Sequence, residues 1–193
     1  MISGFYQMKY LLKNNRDGAA SVYRTTVEVS QDERNIYFNF VAEHSNYYCP
    51  YHNYNDIHSC GDAVEILIGI DPARKTYYEL EVNPDNSKML AKMTVTELDG
   101  DGAAKLNIEF VDEKDCFFTS STAKMSGGYI ACIVIDKARL NMPVEQIYFN
   151  AYRLETDGGE MEKHLFALTP TMCGKFHVPT RYVMLRDYLS PGK

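Results

Sequence analysis

Residues 62–70 read Asp62-Ala63-Val64-Glu65-Ile66-Leu67-Ile68-Gly69-Ile70, and beyond the turn pair Asp71-Pro72 the chain runs Tyr77-Tyr78-Glu79-Leu80-Glu81-Val82-Asn83-Pro84. In the first stretch Val64, Ile66, Ile68 and Ile70 fall on one side of an extended chain with Glu65 opposed to them; in the second, Tyr78, Leu80 and Val82 oppose Tyr77, Glu79 and Glu81. A period of two marks strands with one apolar face. Working outward, Ile36, Phe38, Phe40 and Ala42 repeat the pattern with Tyr37 and Asn39 opposite, and Leu106/Ile108/Phe110, Ile130/Cys132/Val134 and Ile147/Phe149/Ala151 follow the same logic. Each segment read this way buries one face, so two sheets must stack for those faces to leave water.

Turn chemistry falls between the strands: Asp71-Pro72, Asn83-Pro84-Asp85-Asn86, Asp99-Gly100-Asp101-Gly102, Gly127-Gly128 and Asp157-Gly158-Gly159. The best helical candidate is short, Asp136 to Leu140, ended by Asn141-Met142-Pro143. No repeat or low-complexity linker divides the chain. The pattern predicts an all-β protein: a single antiparallel β-sandwich over residues 1–193, immunoglobulin-like or jelly-roll-like, with one or two helical turns and a tail at Ser190-Pro191-Gly192-Lys193.

At 193 residues and 45% hydrophobic content the chain supports a sizeable core. Twenty-six acidic against twenty basic residues give a formal charge of −6, which speaks against a nucleic-acid partner and for a small neutral or cationic one. No apolar run spans a bilayer, so no membrane association is expected. The start, Met1 to Leu12, carries Lys9 and lacks the form of a secretory signal. Five cysteines (Cys49, Cys60, Cys116, Cys132, Cys173) without framework spacing suggest reduced thiols and a cytoplasmic location, or a secreted one if the N-terminus has been processed. Fifteen Tyr and nine Phe with no Trp form an unusual aromatic profile.

The densest polar stretch is Asn46 to Cys60, where Tyr47, Tyr48, Tyr51 and Tyr54 interleave with Asn46, His52, Asn53, Asn55 and Asp56. Ring faces beside short donors and acceptors suit sugars, whose C–H patches stack on aromatics while their hydroxyls seek amides and carboxylates. A loop whose Tyr rings cover the sandwich end fits the composition equally. Cys49, His52, His58 and Cys60 have the composition of a zinc tetrahedron, but their spacing is no finger pattern and favours ordinary loop residues. Asp99-Gly100-Asp101-Gly102 resembles the opening of a calcium loop, yet lacks the later carboxylate ligand and reads as a hairpin turn. No G-x-S-x-G, P-loop or dinucleotide fingerprint occurs, and Cys173 has no flanking motif.

If the two opening strands pair, Glu65 stands beside Glu79 or Glu81 on one face. Paired carboxylates serve glycoside hydrolysis, and equally bind hydroxyls or a hard cation, or simply face solvent.

Three segments in order resemble the family 9 carbohydrate-binding modules, β-sandwich domains often attached to glycoside hydrolases. They are Gly61-Asp62-Ala63-Val64-Glu65-Ile66-Leu67-Ile68 followed by Tyr77 to Pro84; Phe149-Asn150-Ala151-Tyr152-Arg153; and Thr169-Pro170-Thr171 with Phe176-His177-Val178-Pro179-Thr180-Arg181-Tyr182. The resemblance covers residues 26–185. It implies a non-catalytic module that sandwiches a sugar between two aromatic rings, with calcium supporting loops. By position, Glu65 and Asn83 would bond sugar hydroxyls and Phe176 would be one wall. The other wall is a Trp in the family, where this chain has His58-Ser59-Cys60-Gly61; a basic side chain is replaced by Glu81, and Tyr152 stands in place of an amide.

The expectation is therefore carbohydrate binding through Glu65, Asn83, Tyr51, Tyr54, Phe176, His177, Arg153 and Tyr152. Tyr51 or Tyr54 would supply the missing wall opposite Phe176 or His177, and Arg153 would serve as hydroxyl donor or as partner of Glu79. Two other classes stand beside it: a carbohydrate-active enzyme using Glu65 with Glu79 or Glu81, and an interaction sandwich whose sugar site has decayed.

Overall fold

Ile36, Phe38, Phe40 and Ala42 are fully buried, as their alternation requires, and the strand that carries them is paired on both sides. The computed structural model describes residues 8–56, 61–69, 71–140, 143–159 and 163–189. One sheet runs in the order β1 (Lys9–Leu11), β3 (Thr25–Gln31), β4 (Asn35–Glu43), β10 (Gly128–Asp136), β9 (Phe118–Met125). The other runs β2 (Lys13–Asn14), β12 (His164–Ala167), β11 (Tyr148–Glu155), β5 (Ala63–Gly69), β6 (Thr76–Val82), β7 (Lys88–Leu98), β8 (Ala104–Phe110), with β13 (Val183–Met184) also paired to β11. The pairings between these strands are antiparallel. Among the described residues helix is confined to one turn, α1 (Lys137–Leu140), and to single 3-10 turns such as Pro179–Arg181. Among the described residues no helix is long and apolar enough to cross a membrane.

The sheets close on one core. Val27, Val29, Phe38 and Phe40 meet Val64, Ile66, Ile68, Leu80 and Phe149 across it, with the rings of Phe38 and Phe149 centred 5.5 Å apart. Each such side chain contributes about 1.5–3 kcal/mol on burial. The β4–β10 hairpin partner begins at Gly128 (φ 148°), where an added Cβ would lie 2.0 Å from the Ala42 carbonyl oxygen, so only glycine fits that approach.

Three strand expectations need correction. On β10 the buried set is Tyr129, Ala131, Ile133 and Ile135, while Ile130, Cys132 and Val134 lie outward. Both sets are apolar, and the choice is made by pairing: the inward residues stand opposite Ala42, Phe40, Phe38 and Ile36. On β8, Ile108 and Phe110 are exposed, because they share the outer face with their cross-strand partners Met93 and Ala91 and point away from the facing sheet. Finally, β5 and β11 are buried on both faces, and β6 on most of both, so the one-face rule fails at the centre of the second sheet. A second apolar cluster, including Leu67, Tyr77, Met89, Met93, Tyr152 and Tyr182, covers the outer face there.

Several expectations fall on Ile57 to Cys60, Ile70, Asn141, Met142 and the tail from Ser190, which lie outside the described residues. The proposed Cys49/His52/His58/Cys60 set is among them. Of its described half, Cys49 is partly buried, which pushes its thiol up to about 12, and His52 is exposed. The Asp99 turn is a hairpin: its carboxylate accepts from the backbone N–H groups of Asp101 and Ala103 and pairs with Lys175 at 2.5 Å.

Candidate functional site

The outer face of the second sheet is roofed by the strap from Thr169 to Tyr182. Side chains from distant strands hold it there. Asn150 accepts from Thr169 N–H (3.0 Å) and donates to the Thr169 carbonyl (2.7 Å); Asn15 donates to the carbonyls of Cys173 (3.0 Å) and Lys175 (3.1 Å). The Thr171 hydroxyl donates to Lys175 O at 2.7 Å, and Ala104 N–H to His177 O, also at 2.7 Å. Buried polar groups satisfied in this way fix a segment that has no regular structure of its own.

Under the strap Tyr152 is fully buried, and its ring stacks on Phe176 with centroids 4.2 Å apart. The Tyr152 hydroxyl accepts from Asn150 and donates to the Phe176 carbonyl at 2.9 Å. Tyr152 thus sets the height and tilt of the Phe176 ring.

Beside that ring opens a groove of about 330 Å³. Its floor is Glu65, Glu79 and Glu81, and its apolar lining includes Met89, Met93, Ile108, Phe110 and Phe176. Glu65 stands directly opposite Glu81 in the β5–β6 register, and Glu79 follows two residues away on the same face. One carboxylate oxygen from each lies within 4.8 Å of the others. The three are only 3%, 6% and 6% exposed. Burial first, and the neighbouring carboxylates second, hold Glu65 and Glu79 well above the usual carboxylate range.

His177 borders the floor. Its Nδ1 lies 2.9 Å from the Tyr77 hydroxyl and its Nε2 3.4 Å from Glu79. Burial pulls the imidazole down to about 4, so at neutral pH the ring is uncharged. A neutral ring has one N–H donor and one acceptor nitrogen, and these two contacts occupy both.

Of the residues expected at the site, Glu65, Phe176 and His177 line the groove together, and Tyr152 lies beneath it. Asn83 does not reach it. Its side chain accepts from Asp85 and Ser87 N–H (3.0 and 2.9 Å) and donates to the Tyr51 carbonyl (2.8 Å), tying the 83–87 turn to the Tyr-rich loop. Tyr54 packs on the core between the sheets, and Tyr51 is absent from the groove lining. That loop is steered away by Asp62, fully buried, which accepts from Tyr48 N–H at 2.5 Å and from Thr156 N–H and hydroxyl, both at 3.1 Å.

Arg153 alternates with Tyr152 and therefore points to the opposite face of its sheet. There it is fully buried, donating to the Thr25 hydroxyl (2.9 Å), the Glu43 carbonyl (2.8 Å) and the Glu155 carboxylate, far from the role of a ligand donor or a Glu79 partner.

The sequence reading missed the β7–β8 wall. Met89, Ala91 and Met93 alternate with Lys88, Leu90 and Lys92, so β7 carries apolar residues on the face it shares with Glu79 and Glu81. That mixture signals a strand buried on both sides. Phe110 is the second aromatic ring of the lining, in place of Tyr51 or Tyr54.

No protein-family model matches the chain. No curated protein matches it either. Among solved structures it is similar to a candidate carbohydrate-binding protein from Bacteroides uniformis (TM-score 0.70, 10% identity, 91% of this chain and 84% of that one). It is also similar to a family 9 carbohydrate-binding module from Caldicellulosiruptor kristjanssonii, in complex with glucose (TM-score 0.62, 14% identity, 90% and 82%) and with cellotriose (0.63, 13%, 91% and 79%). The chain has the β-sandwich fold of the family 9 carbohydrate-binding modules.

Proposed function

We propose that this protein binds carbohydrate, without catalysis, in the groove between the strap and the β6–β8 face. The observation that carries the reading is the Phe176 ring, propped on Tyr152, standing beside a floor of carboxylates. A sugar ring has the complementary pair of surfaces: C–H patches for Phe176 and Phe110, hydroxyls for Glu65, Glu79 and His177. Supporting it, the solved family 9 modules that share the fold are complexes with glucose and cellotriose.

Isothermal titration against a panel of neutral and amino monosaccharides and short oligosaccharides, paired with a reducing-sugar assay, tests the proposal. The expected result is saturable binding of at least one sugar with no turnover, weakened by about 0.5–1.5 kcal/mol in Phe176→Ala. Absence of binding to every sugar at millimolar concentration sinks it. Turnover abolished by Glu65→Gln would replace it with an enzymatic role.

A further inference from the structure

Acidic side chains on an outer sheet face ordinarily stand in water. Here Glu65, Glu79 and Glu81 are withdrawn from it, within 4.8 Å of one another, at the bottom of an open groove. Glu65 adds an independent observation. Only 3% exposed, it makes no hydrogen bond and no ion pair among the described residues, and its side chain lines the groove. A buried carboxylate without a donor is costly, and a ligand that brings the donor offsets the cost.

The lining supplies three carboxylates against one permanent cation, Lys163, and burial keeps His177 neutral. Even when Lys163 is fully engaged, two of the three acidic side chains have no cation beside them; burial favours their protonated form, and a cation seated among them favours the charged one. A hydroxyl donates one neutral bond, whereas an ammonium donates three and carries the charge the floor lacks. A bare divalent ion would satisfy the floor but leave Met89, Met93, Ile108, Phe110 and Phe176 without a counterpart. A ring bearing an ammonium satisfies both surfaces.

We infer that the ligand of this groove is a sugar with a free ring amine, seated with its nitrogen among Glu65, Glu79 and Glu81 and its C–H face against Phe176. The inference rests on the carbohydrate reading above and specifies its chemical class. N-acetylation would remove both the charge and two of the donors.

The test is titration of the full chain at pH 6.5 with glucosamine and galactosamine, with glucose and galactose as hydroxyl isosteres and N-acetylglucosamine as the uncharged derivative, each with and without calcium. At least one amine should bind about tenfold tighter than its neutral isostere. The preference should shrink in high salt and disappear in both Glu65→Gln and Glu79→Gln, while binding of the neutral sugar changes less. A neutral sugar bound as tightly as its amine, or bound only when calcium is added, overturns the ammonium and leaves carbohydrate binding standing. Failure of every sugar overturns the carbohydrate reading and this inference together.

Discussion

Tyr152 and Phe176 lie face to face at 4.2 Å and are joined a second time by the bond from the Tyr152 hydroxyl to the Phe176 carbonyl. The first residue belongs to a central strand and the second to an irregular strap, so the pair transfers the rigidity of the sheet to the groove wall. Tyr152→Phe keeps the stack and deletes that bond together with the one its hydroxyl accepts from Asn150. The expected cost is about 1 kcal/mol of stability, read by urea unfolding, with sugar affinity reduced about fivefold as the wall loosens. Unchanged affinity would show that stacking alone positions Phe176.

Glu65 should oppose the stability of the fold at neutral pH. Its folded pKa lies above its ordinary value of 4.5, so the folded state holds its proton more tightly. That contribution is complete below the unfolded pKa and is lost as pH rises through the folded one. Glu65→Gln should accordingly stabilise the protein at pH 7, by about 1.4 kcal/mol for each unit of displacement removed, and the gain should vanish near pH 4. Denaturation curves at the two pH values check this, and equal gains at both would contradict it.

His177 has the opposite dependence. An imidazole drawn from 6.5 to about 4 leaves the unfolded chain binding the extra proton between those values. Stability from this group is present above pH 6.5 and is lost as pH falls toward 4. Compared with His177→Gln, the wild type should lose about 2–3 kcal/mol over that interval, measured as the pH dependence of the difference in unfolding free energy. A flat difference would mean that the ring titrates normally.

Arg153 should matter to the fold and not to the groove. Arg153→Ala leaves the buried Glu155 without its guanidinium, with only His44 and the Asp157 N–H beside it, at a cost of about 3 kcal/mol. The fraction that remains folded should bind sugar with wild-type affinity, judged by titration at low temperature. A selective loss of affinity with normal stability would return Arg153 to the ligand site.

Much of the architecture was legible because β4 alternates cleanly and because Val64, Ile66 and Ile68 on β5 and Leu80 and Val82 on β6 recur with a period of two, even though Leu67 and Tyr77 bury the other face as well. The opposition of Glu65 to Val64 and Ile66 sufficed to place it on the outer face, beside Glu79 and Glu81. Alternation failed on β10, where both faces are apolar and the register against Phe38 and Phe40 decides. At the site, Phe176 and His177 followed from the ordered motifs, but Tyr51, Tyr54 and Asn83 did not end there. The direction of their loop is set by bonds from the Tyr48 N–H to Asp62 and from Asn83 to the Tyr51 carbonyl. Local pattern carries no trace of such bonds. Phe110 escaped for a related reason: on an edge strand an apolar residue can face either the core or a groove, and only the topology tells which.

The strap from Thr169 to Tyr182 gives the groove two owners, a sheet that supplies the floor and a late segment of chain that supplies the wall. A molecule gripped between Glu65 and Phe176 would hold the two together, so its binding free energy would add to the docking of the strap. Occupancy would then be visible away from the ligand, as slower amide hydrogen exchange along residues 171–178. Conversely, a change that frees the strap, even at Asn15 or Asn150 and out of contact with any sugar, would empty the groove.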